Sequence, residues 1–435
     1  MGRDIHGGRS MKKNVFILGL KSSQENPLKT LRESESTNFH TLLSYEDLVE
    51  NTPFDFEKLL EECRKKLKSF NGEINAILAH WDFPSSALAP ILCHELELPA
   101  PSLRSVLTCE NKLWSRMEQS RSIPENVPKF CRIDPFKENS SADIAIDYPF
   151  WLKPVKSFSS QLGFKIEDRS QFDEAITKIK KDIGKFGNPF NDALRHLNDE
   201  KTIEAYGGNL CIAEELITGV QGAPEGTMYK GEFNIHGIVM QPKSDDDVLF
   251  DRLVYPSSLP EKIHHHMVSV SEKFLRHIGY DNGCFNVEFI WDENKEKLWL
   301  VEVNTRISQS HSELFTMVDG ISNHEVALDI ALDQRPSLLN RNGKYPVAAK
   351  CSIPYKGSGC KVISTPSNEE IIKLRGIFPE VSLDIYVSPG DDLSDMSNQN
   401  QYGYIIGEML VGGNSYEDIC EKYNDCLEKI NFEIR

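Results

Sequence analysis

The stretch CFNVEFIWDENKEKLWLVEVNTR, residues 284–306, decides the fold. Two runs of alternating apolar and polar residues flank a charged turn, and this pattern predicts a β-hairpin. With the turn centred on Lys295, Glu288 and Glu302 are each seven residues away and therefore lie opposite each other on one face. The two-residue period of a strand carries Asn304 to the same face. The same period places a second set of residues on the other face: Trp299, Val301 and Val303.

The two opposed carboxylates of this hairpin predict a metal site. Like charges directly opposite each other across two strands are destabilising, and a hard cation between them would remove the repulsion. Two carboxylates and an amide oxygen form the ligand set that magnesium takes when phosphate oxygens complete its shell. Glu288, Glu302 and Asn304 are therefore the candidate ligands of a nucleotide-bound Mg²⁺, with Mn²⁺ as an alternative metal. A solvated hairpin with outward acidic residues is the competing interpretation.

A second pattern, FWLKPVKSFSSQLGFKI at residues 150–166, places a lysine, Lys153, in an apolar strand. Pro154 holds the residue before it extended, and a lysine buried in such a strand needs an anion. The loop that follows is rich in small residues, Ser159 and Ser160 among them, which let backbone N–H groups close over a phosphate chain. The loop is not a P-loop, because GxxxxGK[ST] is absent. A plain hairpin whose lysine reaches water is the alternative.

The order of predicted elements divides the chain into modules. Strands and helices alternate at the start, which predicts an open α/β module, and a strand, loop, strand and helix then predict a small lid. Residues 185–209, rich in Gly, Asn and charge, are expected to connect this lid to the next strand. The predicted segments are a leader- or tag-like stretch (1–10), an N-terminal domain (11–110), the lid with its lead-in (111–217), a core (218–343) and a C-terminal module (344–435).

Composition narrows the class of protein. The 435 residues include 49 basic and 66 acidic side chains, and the net charge of −17 disfavours nucleic acid and anionic membranes as partners. No apolar run approaches the roughly 20 residues that span a bilayer. The ten cysteines form no CxxC pair and are expected to be reduced, so we expect a cytoplasmic protein. A cleft that binds phosphates must therefore supply its own local cations.

The order of these parts resembles the ATP-grasp superfamily, in particular the carboxylate–amine ligases of its amino-acid and dipeptide ligase branch and its biotin-carboxylase-like members. The resemblance covers nearly all of the chain after Met11. It implies an α/β protein of three modules: an open α/β N-terminal domain, a small lid with an antiparallel-sheet core, and a C-terminal α+β module. It also implies an ATP site with these residues: Lys129, Lys153, Ser159, Ser160, Glu214, Glu215, Ile217 and Gln221.

The same resemblance implies roles near the reaction centre. Arg306 falls where the family places an arginine against phosphate or the reacting carboxylate, and it is the catalytic candidate. Gln221 stands where many relatives have a ribose-binding glutamate, so it departs from the pattern. Residues 308–311, Ser-Gln-Ser-His, stand where the family often has two glycines, and we expect substrate choice to lie there.

The implied activity is that of an ATP-dependent ligase that uses Mg²⁺ and joins a small-molecule carboxylate to an amine through an acyl phosphate. A carboxylase-like enzyme that uses bicarbonate is the alternative within enzymes, and a non-catalytic nucleotide-binding regulator is the alternative of another class. For the oligomeric state, the sequence neither predicts nor excludes a homodimer. For the metal site, charge repulsion alone predicts that Glu302→Gln leaves the free protein as stable or slightly more stable, while turnover collapses.

Overall fold

The computed structural model of the protein describes most of the chain, in these stretches: 12–21, 28–50, 53–157, 162–242, 252–337, 341–396, 399–400 and 403–435. They form a small parallel sheet, a four-stranded antiparallel sheet and a large antiparallel sheet, each with helices packed on it. All ten cysteines are free, as the sequence predicts. None of the helices in these stretches has both the length and the apolar character that a bilayer crossing requires.

The N-terminal part is a parallel sheet with strand order β2-β1-β3. Its elements are β1 (Lys13–Leu20), β2 (Thr37–Ser44), α1 (Phe56–Ser69), β3 (Ala76–Ala79) and α2 (Ser85–Glu95). Both faces of β1 are covered, which explains its continuous apolar run. Val15 and Ile17 pack in one hydrophobic cluster, while Phe16 and Leu18 pack in another. The predicted β-α-β beginning is confirmed.

Two helices and a four-stranded antiparallel sheet follow, with strand order β4-β7-β5-β6. The elements are α3 (Leu103–Glu110), α4 (Lys112–Ser122), β4 (Phe130–Ile133), β5 (Phe150–Pro154), β6 (Phe164–Ile166), α5 (Arg169–Asp182), α6 (Gly184–Arg195), α7 (Glu200–Tyr206) and β7 (Cys211–Glu215). Helix α5 buries Phe172, Ala175, Ile176 and Ile179 against this sheet, the four residues that its amphipathic pattern turns inward. This sheet is the predicted lid.

Residues 185–209 run from α5 to the next strand, β7, and they contain most of α6 and all of α7, which were not predicted. Phe186, Phe190, Ala193 and Leu194 are spaced to form one apolar face of a helix, in spite of the neighbouring Gly and Asn. Three of these residues pack in the cluster that also contains residues of α1. Helix α6 therefore packs in the hydrophobic core of the N-terminal part.

The largest sheet has nine strands, in the order β12-β11-β8-β9-β10-β13-β17-β15, with β16 paired to β17. The chain segment that forms the first half of this sheet contains these strands and helices: β8 (Val220–Tyr229), β9 (Glu232–Gln241), β10 (Arg252–Tyr255), α8 (Glu261–His277), β11 (Gly283–Asp292), β12 (Lys297–Asn304), α9 (Ser312–Asp319) and α10 (Asn323–Ala331). The consecutive histidines His264, His265 and His266 lie on α8, where successive side chains point in different directions. The core sheet thus ends, on one side, in the hairpin of β11 and β12.

The C-terminal residues extend this same sheet. Their elements are β13 (Val347–Tyr355), β14 (Val362–Ser364), α11 (Asn368–Ile377), β15 (Val381–Ile385), β16 (Gln399–Asn400), β17 (Gly403–Gly413), α12 (Tyr416–Leu427) and β18 (Glu433–Ile434). Strand β13 pairs with β10 on one side and with β17 on the other. Hydrogen bonding therefore continues across the predicted boundary at residue 344.

Candidate functional site

The register of the β11–β12 hairpin is the predicted one: Glu288 is the cross-strand partner of Glu302. The two strands are joined between Asp292 and Lys297, so the turn is centred half a residue before the predicted centre at Lys295. A β-bulge makes up the difference, because Val301 is an extra residue between the paired positions. Without this bulge, the two carboxylates would not face each other.

The bulge also changes which residues of β12 pack inward. Leu298, Leu300 and Val303 are buried in the core, whereas Trp299 and Val301 are only half-buried. The expectation that Trp299 and Val301 share the inward face with Val303 is therefore wrong, since the two-residue period is interrupted between them. The Val301 carbonyl accepts a hydrogen bond from the Arg116 guanidinium, 2.9 Å away.

Glu288 is held by amides. Asn304 Nδ2 donates to one of its oxygens at 3.1 Å, and Gln221 Nε2 donates to the other at 3.2 Å. Burial raises the pKa of Glu288 to about 7, and the negative charge of Glu302 adds to the rise. The predicted nucleotide residue Gln221 thus lies beside a predicted metal ligand. Its contact with a ribose stays a prediction.

Glu302 lies in a positive environment. Its carboxylate pairs with Lys112 Nζ at 3.2 Å. Burial would raise the pKa of Glu302, but three nearby lysines, led by Lys112, outweigh it and hold the pKa at about 2. The pKa values of these two facing carboxylates are therefore shifted in opposite directions, because Lys112 pairs with Glu302 whereas amides donate to Glu288.

The protein side chains would supply only some of the ligands of a hard divalent cation, which is what the sequence predicts for a metal that is also bound to phosphates. Within the described stretches, no group of three or more His, Cys, Asp and Glu side chains has the arrangement of a complete metal site. Glu288 and Glu302 supply two oxygens and Asn304 an amide, so further ligands must come from outside the protein, as with magnesium bound to phosphates. Burial and the charge of Glu302 raise the pKa of Glu288 more than the nearby Arg306 lowers it.

Beside the hairpin lies a cavity of about 420 Å³, which we call the central cavity. It lies between the core sheet, the lid strands and the N-terminal part. Its charged lining residues are Asp82, Glu110, Lys112, Lys153, Lys156, Glu288, Glu302 and Arg306, and the predicted metal ligand Asn304 also lines it. Four of the charged residues are cations and four are carboxylates, so the lining combines cations that can bind phosphates with oxygen atoms that can bind a metal.

Buried carboxylates hold the lysines of the central cavity in place. Glu214 pairs with Lys153 Nζ and with Arg116 Nε, both at 2.6 Å. Burial opposes the ionisation of Glu214, yet these two cations hold its pKa at about 2. Lys156 pairs with Glu110 in the same way. The sequence predicts that Lys153, in β5, needs an anion, and Glu214 of the chain itself supplies one. Lys153 nevertheless lines the central cavity.

Several predicted nucleotide residues are not brought into the central cavity. The Lys129 side chain is exposed, while its backbone carbonyl accepts a hydrogen bond from Glu215 N–H at 2.9 Å. Glu215 and Ile217 are half-buried in the link between lid and core. Ser159 and Ser160 lie outside the described residues. The nucleotide contacts proposed for these positions stay predictions, as do the roles of the residues that do line the cavity.

Arg306 is fixed from the N-terminal part. Its Nε and Nη2 donate to the two oxygens of Asp82 at 2.8 and 2.9 Å, which is a bidentate pair. Burial would lower the pKa of Arg306, but the Asp82 carboxylate raises it above its ordinary value. Asp82 was not among the predicted residues. The available signal was its position, in the loop that follows β3 at the carboxyl edge of a parallel sheet, where α/β proteins bind ligands.

A second, smaller cavity of about 190 Å³ adjoins the first, and we call it the side cavity. Glu288 and Arg306 line both cavities. The remaining lining residues are Gln221, Ala223, Val239, Met240, Gln241, Leu253, Asn286, Ser308, Ser310 and His311. Three of the four residues in the segment 308–311 therefore face this cavity, next to the catalytic candidate.

Residues 146–313 match the family model of the ATP-grasp domain. The chain is 25% identical over 173 residues to the urea amidolyase of Saccharomyces cerevisiae, which corresponds to 40% of this chain and 9% of that protein. The chain thus spans a small fraction of the length of this curated relative.

Two solved structures are similar to almost the whole chain. The L-amino acid ligase from Bacillus licheniformis has a TM-score of 0.73 at 18% identity, over 98% of this chain and 100% of that chain. The biotin carboxylase domain of the Hydrogenobacter thermophilus 2-oxoglutarate carboxylase, solved with MgADP and bicarbonate, has a TM-score of 0.61 at 15% identity, over 98% and 91%. At such identities the similarity is one of fold. The predicted fold class, that of the ATP-grasp enzymes, is confirmed.

Proposed function

We propose that this chain, which carries an ATP-grasp domain, is an ATP-dependent ligase that forms an amide bond between a small carboxylic acid, of the amino-acid type, and an amine. The observation that carries the proposal is the pairing of Glu288 with Glu302 at the wall of a cavity that also contains four cations. Opposed carboxylates in such a place are costly in a structural hairpin and useful at a metal–phosphate site. The similarity in fold to an L-amino acid ligase also supports the proposal.

In this proposal ATP occupies the central cavity. Lys112, Lys153 and Lys156 compensate the charge of its phosphates, and Glu288, Glu302 and Asn304 would hold Mg²⁺. When bound, the metal would neutralise negative charge on the transferring phosphoryl group. Catalysis of phosphoryl transfer is mostly positioning and charge compensation, so the buried pairs that fix these lysines are part of the machinery.

The chemistry then has two steps. An oxygen of the substrate carboxylate attacks the γ-phosphorus, the bond to the β–γ bridging oxygen breaks, and ADP leaves. The amine nitrogen next attacks the acyl carbon, the bond from that carbon to the phosphate oxygen breaks, and phosphate leaves with the proton lost by the amine. Arg306 is placed to stabilise the negative charge of the acyl phosphate.

Hydroxylamine tests the proposal, because an acyl phosphate reacts with any good nucleophile. With Mg-ATP, hydroxylamine and a panel of amino acids and other small carboxylates, at least one acid should yield a hydroxamate together with ADP and phosphate in equal amounts. Release of AMP and pyrophosphate would exclude the acyl-phosphate route. A signal with bicarbonate alone would favour the carboxylase alternative, and nucleotide binding without any turnover across the panel would favour the regulator.

A further inference from the structure

We propose that Glu225 and His311 form a proton-accepting dyad at the side cavity, and that His311 takes the proton from the ammonium group of the incoming amine. The inference rests on the proposed function and adds a residue pair for its second step. It starts from a buried network beneath the side cavity that phosphoryl transfer does not use.

Glu225 is at the centre of this network, and its side chain is completely buried. One carboxylate oxygen accepts from Asn323 Nδ2 at 2.7 Å. The other accepts from Ser308 N–H at 3.3 Å and lies 2.8 Å from His311 Nδ1. Since a carboxylate held by N–H donors can only accept, the Nδ1 atom carries the hydrogen in this contact. The other ring nitrogen, Nε2, is then the one with a free lone pair.

The position of His311 gives that lone pair access to a ligand. The side chain is 5% exposed and lines the side cavity, which Arg306 and Glu288 also line. Within the part of the chain that the structure describes, no group hydrogen-bonds Nε2, and this atom is not among the buried polar atoms that lack a partner. It is therefore in contact with the cavity. An amine bound in the side cavity would lie in a space that both His311 and Arg306 line.

Two other histidines approach Glu225 but cannot share the role. His236, the bulged residue of β9, has both ring nitrogens buried, and His324, in α10, is buried; desolvation lowers the pKa of each to about 4 although Glu225 opposes this. Neither of them lines the central or the side cavity. Of these three histidines, His311 is the one that both contacts Glu225 by a hydrogen bond and lines a cavity.

The reaction needs such a base because an amine with the basicity of an amino acid enters as an ammonium ion, which has no lone pair. In the proposed step, His311 Nε2 accepts one proton from the ammonium. The freed lone pair attacks the acyl carbon, the carbon–oxygen bond to phosphate breaks, and the second proton leaves on the phosphate oxygen. A positioned general base contributes roughly 10² to 10⁴-fold to such steps. Compact amines suit the small volume of the side cavity.

Comparison of two nucleophiles isolates this role. Hydroxylamine is a weak base and is mostly unprotonated at neutral pH, so it needs no base, whereas glycine and L-alanine do. The variant His311→Gln can still donate to Glu225 but cannot take the proton. With the acid that gives the strongest wild-type hydroxamate signal, we expect His311→Gln to lose about 100-fold or more in amide formation with glycine or L-alanine. Its hydroxamate formation should stay within a few-fold of wild type.

Retained hydroxamate formation also shows that the variant is folded and binds ATP and the acid. His236→Gln is the matched control, since it removes a histidine next to the same carboxylate without altering either cavity, and it should keep both activities. If amide and hydroxamate formation fall together in His311→Gln, or if neither falls, the dyad is not a proton acceptor. Absence of hydroxamate in the wild type with every acid would instead overturn the proposed function itself.

Discussion

Replacing each of the two opposed carboxylates by its amide should shift the stability of the metal-free protein in opposite directions. Glu302 has Lys112 at 3.2 Å, and its pKa is about 2. Glu288 is hydrogen-bonded only by amides among the described residues, and burial with the charge of Glu302 raises its pKa to about 7. Glu302→Gln therefore removes a favourable charge, while Glu288→Gln removes an unfavourable one.

The size and the pH window follow from the two pKa values. Glu302 contributes stability that is present above its ordinary pKa of 4.5 and is lost as the pH falls towards 2. Ionised Glu288 costs stability, and this cost is absent below pH 4.5 and complete above pH 7. Each difference corresponds to roughly 3 kcal/mol at most. Because the Glu302 side chain is 35% exposed and the two groups titrate as a pair, solvent screening reduces each effect to about 1–2 kcal/mol.

Thermal or urea unfolding in EDTA, without nucleotide, measures these shifts. At pH 8 the midpoint of Glu302→Gln should fall and that of Glu288→Gln should rise, and the gain in Glu288→Gln should disappear near pH 4.5. Glu293→Gln, on the exposed turn of the same hairpin, should be silent. Both site variants should nevertheless lose most turnover. A rise for Glu302→Gln, or a fall for Glu288→Gln at pH 8, would refute this account of the charges.

Three further outcomes are expected. Asp82→Asn should lower the KM for the carboxylate substrate, measured by ADP release, because Asp82 competes for the same guanidinium; an unchanged or higher KM would contradict this. Glu214→Gln should destabilise the protein by about 3 kcal/mol in urea, since it removes the buried carboxylate that pairs with both Arg116 and Lys153, whereas Glu215→Gln should be nearly silent. Mg-ATP should slow hydrogen exchange in β5 and β6 but not in α6, which packs on the N-terminal part; equal protection of all three would count against a lid made of the small sheet.

Local pattern was enough to predict the hairpin and its register. The alternation of apolar and polar residues predicted the two strands, and counting outward from the turn paired Glu288 with Glu302. The pairing was correct only because the bulge at Val301 offsets the shift of the turn centre away from Lys295. No feature of residues 297–304 predicts this bulge, at which Arg116 from another helix donates to the Val301 carbonyl. Because the bulge interrupts the two-residue period, the predicted faces of Trp299 and Val301 were wrong.

The partners that set the charges of the site could not be predicted from one sequence. Asp82 and Arg306 are 224 residues apart, and Glu225 and His311 are 86 apart. Periodicity predicts which face of an element a residue occupies, but not which distant element covers that face. This missing contact changed the predicted stability effect. Repulsion between the two carboxylates predicts that Glu302→Gln leaves the free protein as stable or slightly more stable, whereas the Lys112 contact predicts a loss of stability.

The placement of Glu288 and Arg306 accounts for how one centre could serve two successive reactions. The carboxylate must be within reach of the γ-phosphate for the first reaction and of the amine for the second. Glu288 and Arg306 line both the central cavity, with its lysines, and the side cavity, with His311. An acyl phosphate held at Arg306 would therefore form at the junction of the two cavities and would not need to move before the amine attacks. Asp82 reaches Arg306 from the N-terminal part, so that part and the core sheet together form the junction. Walls from two parts of the chain would limit the access of water to an intermediate that water would destroy.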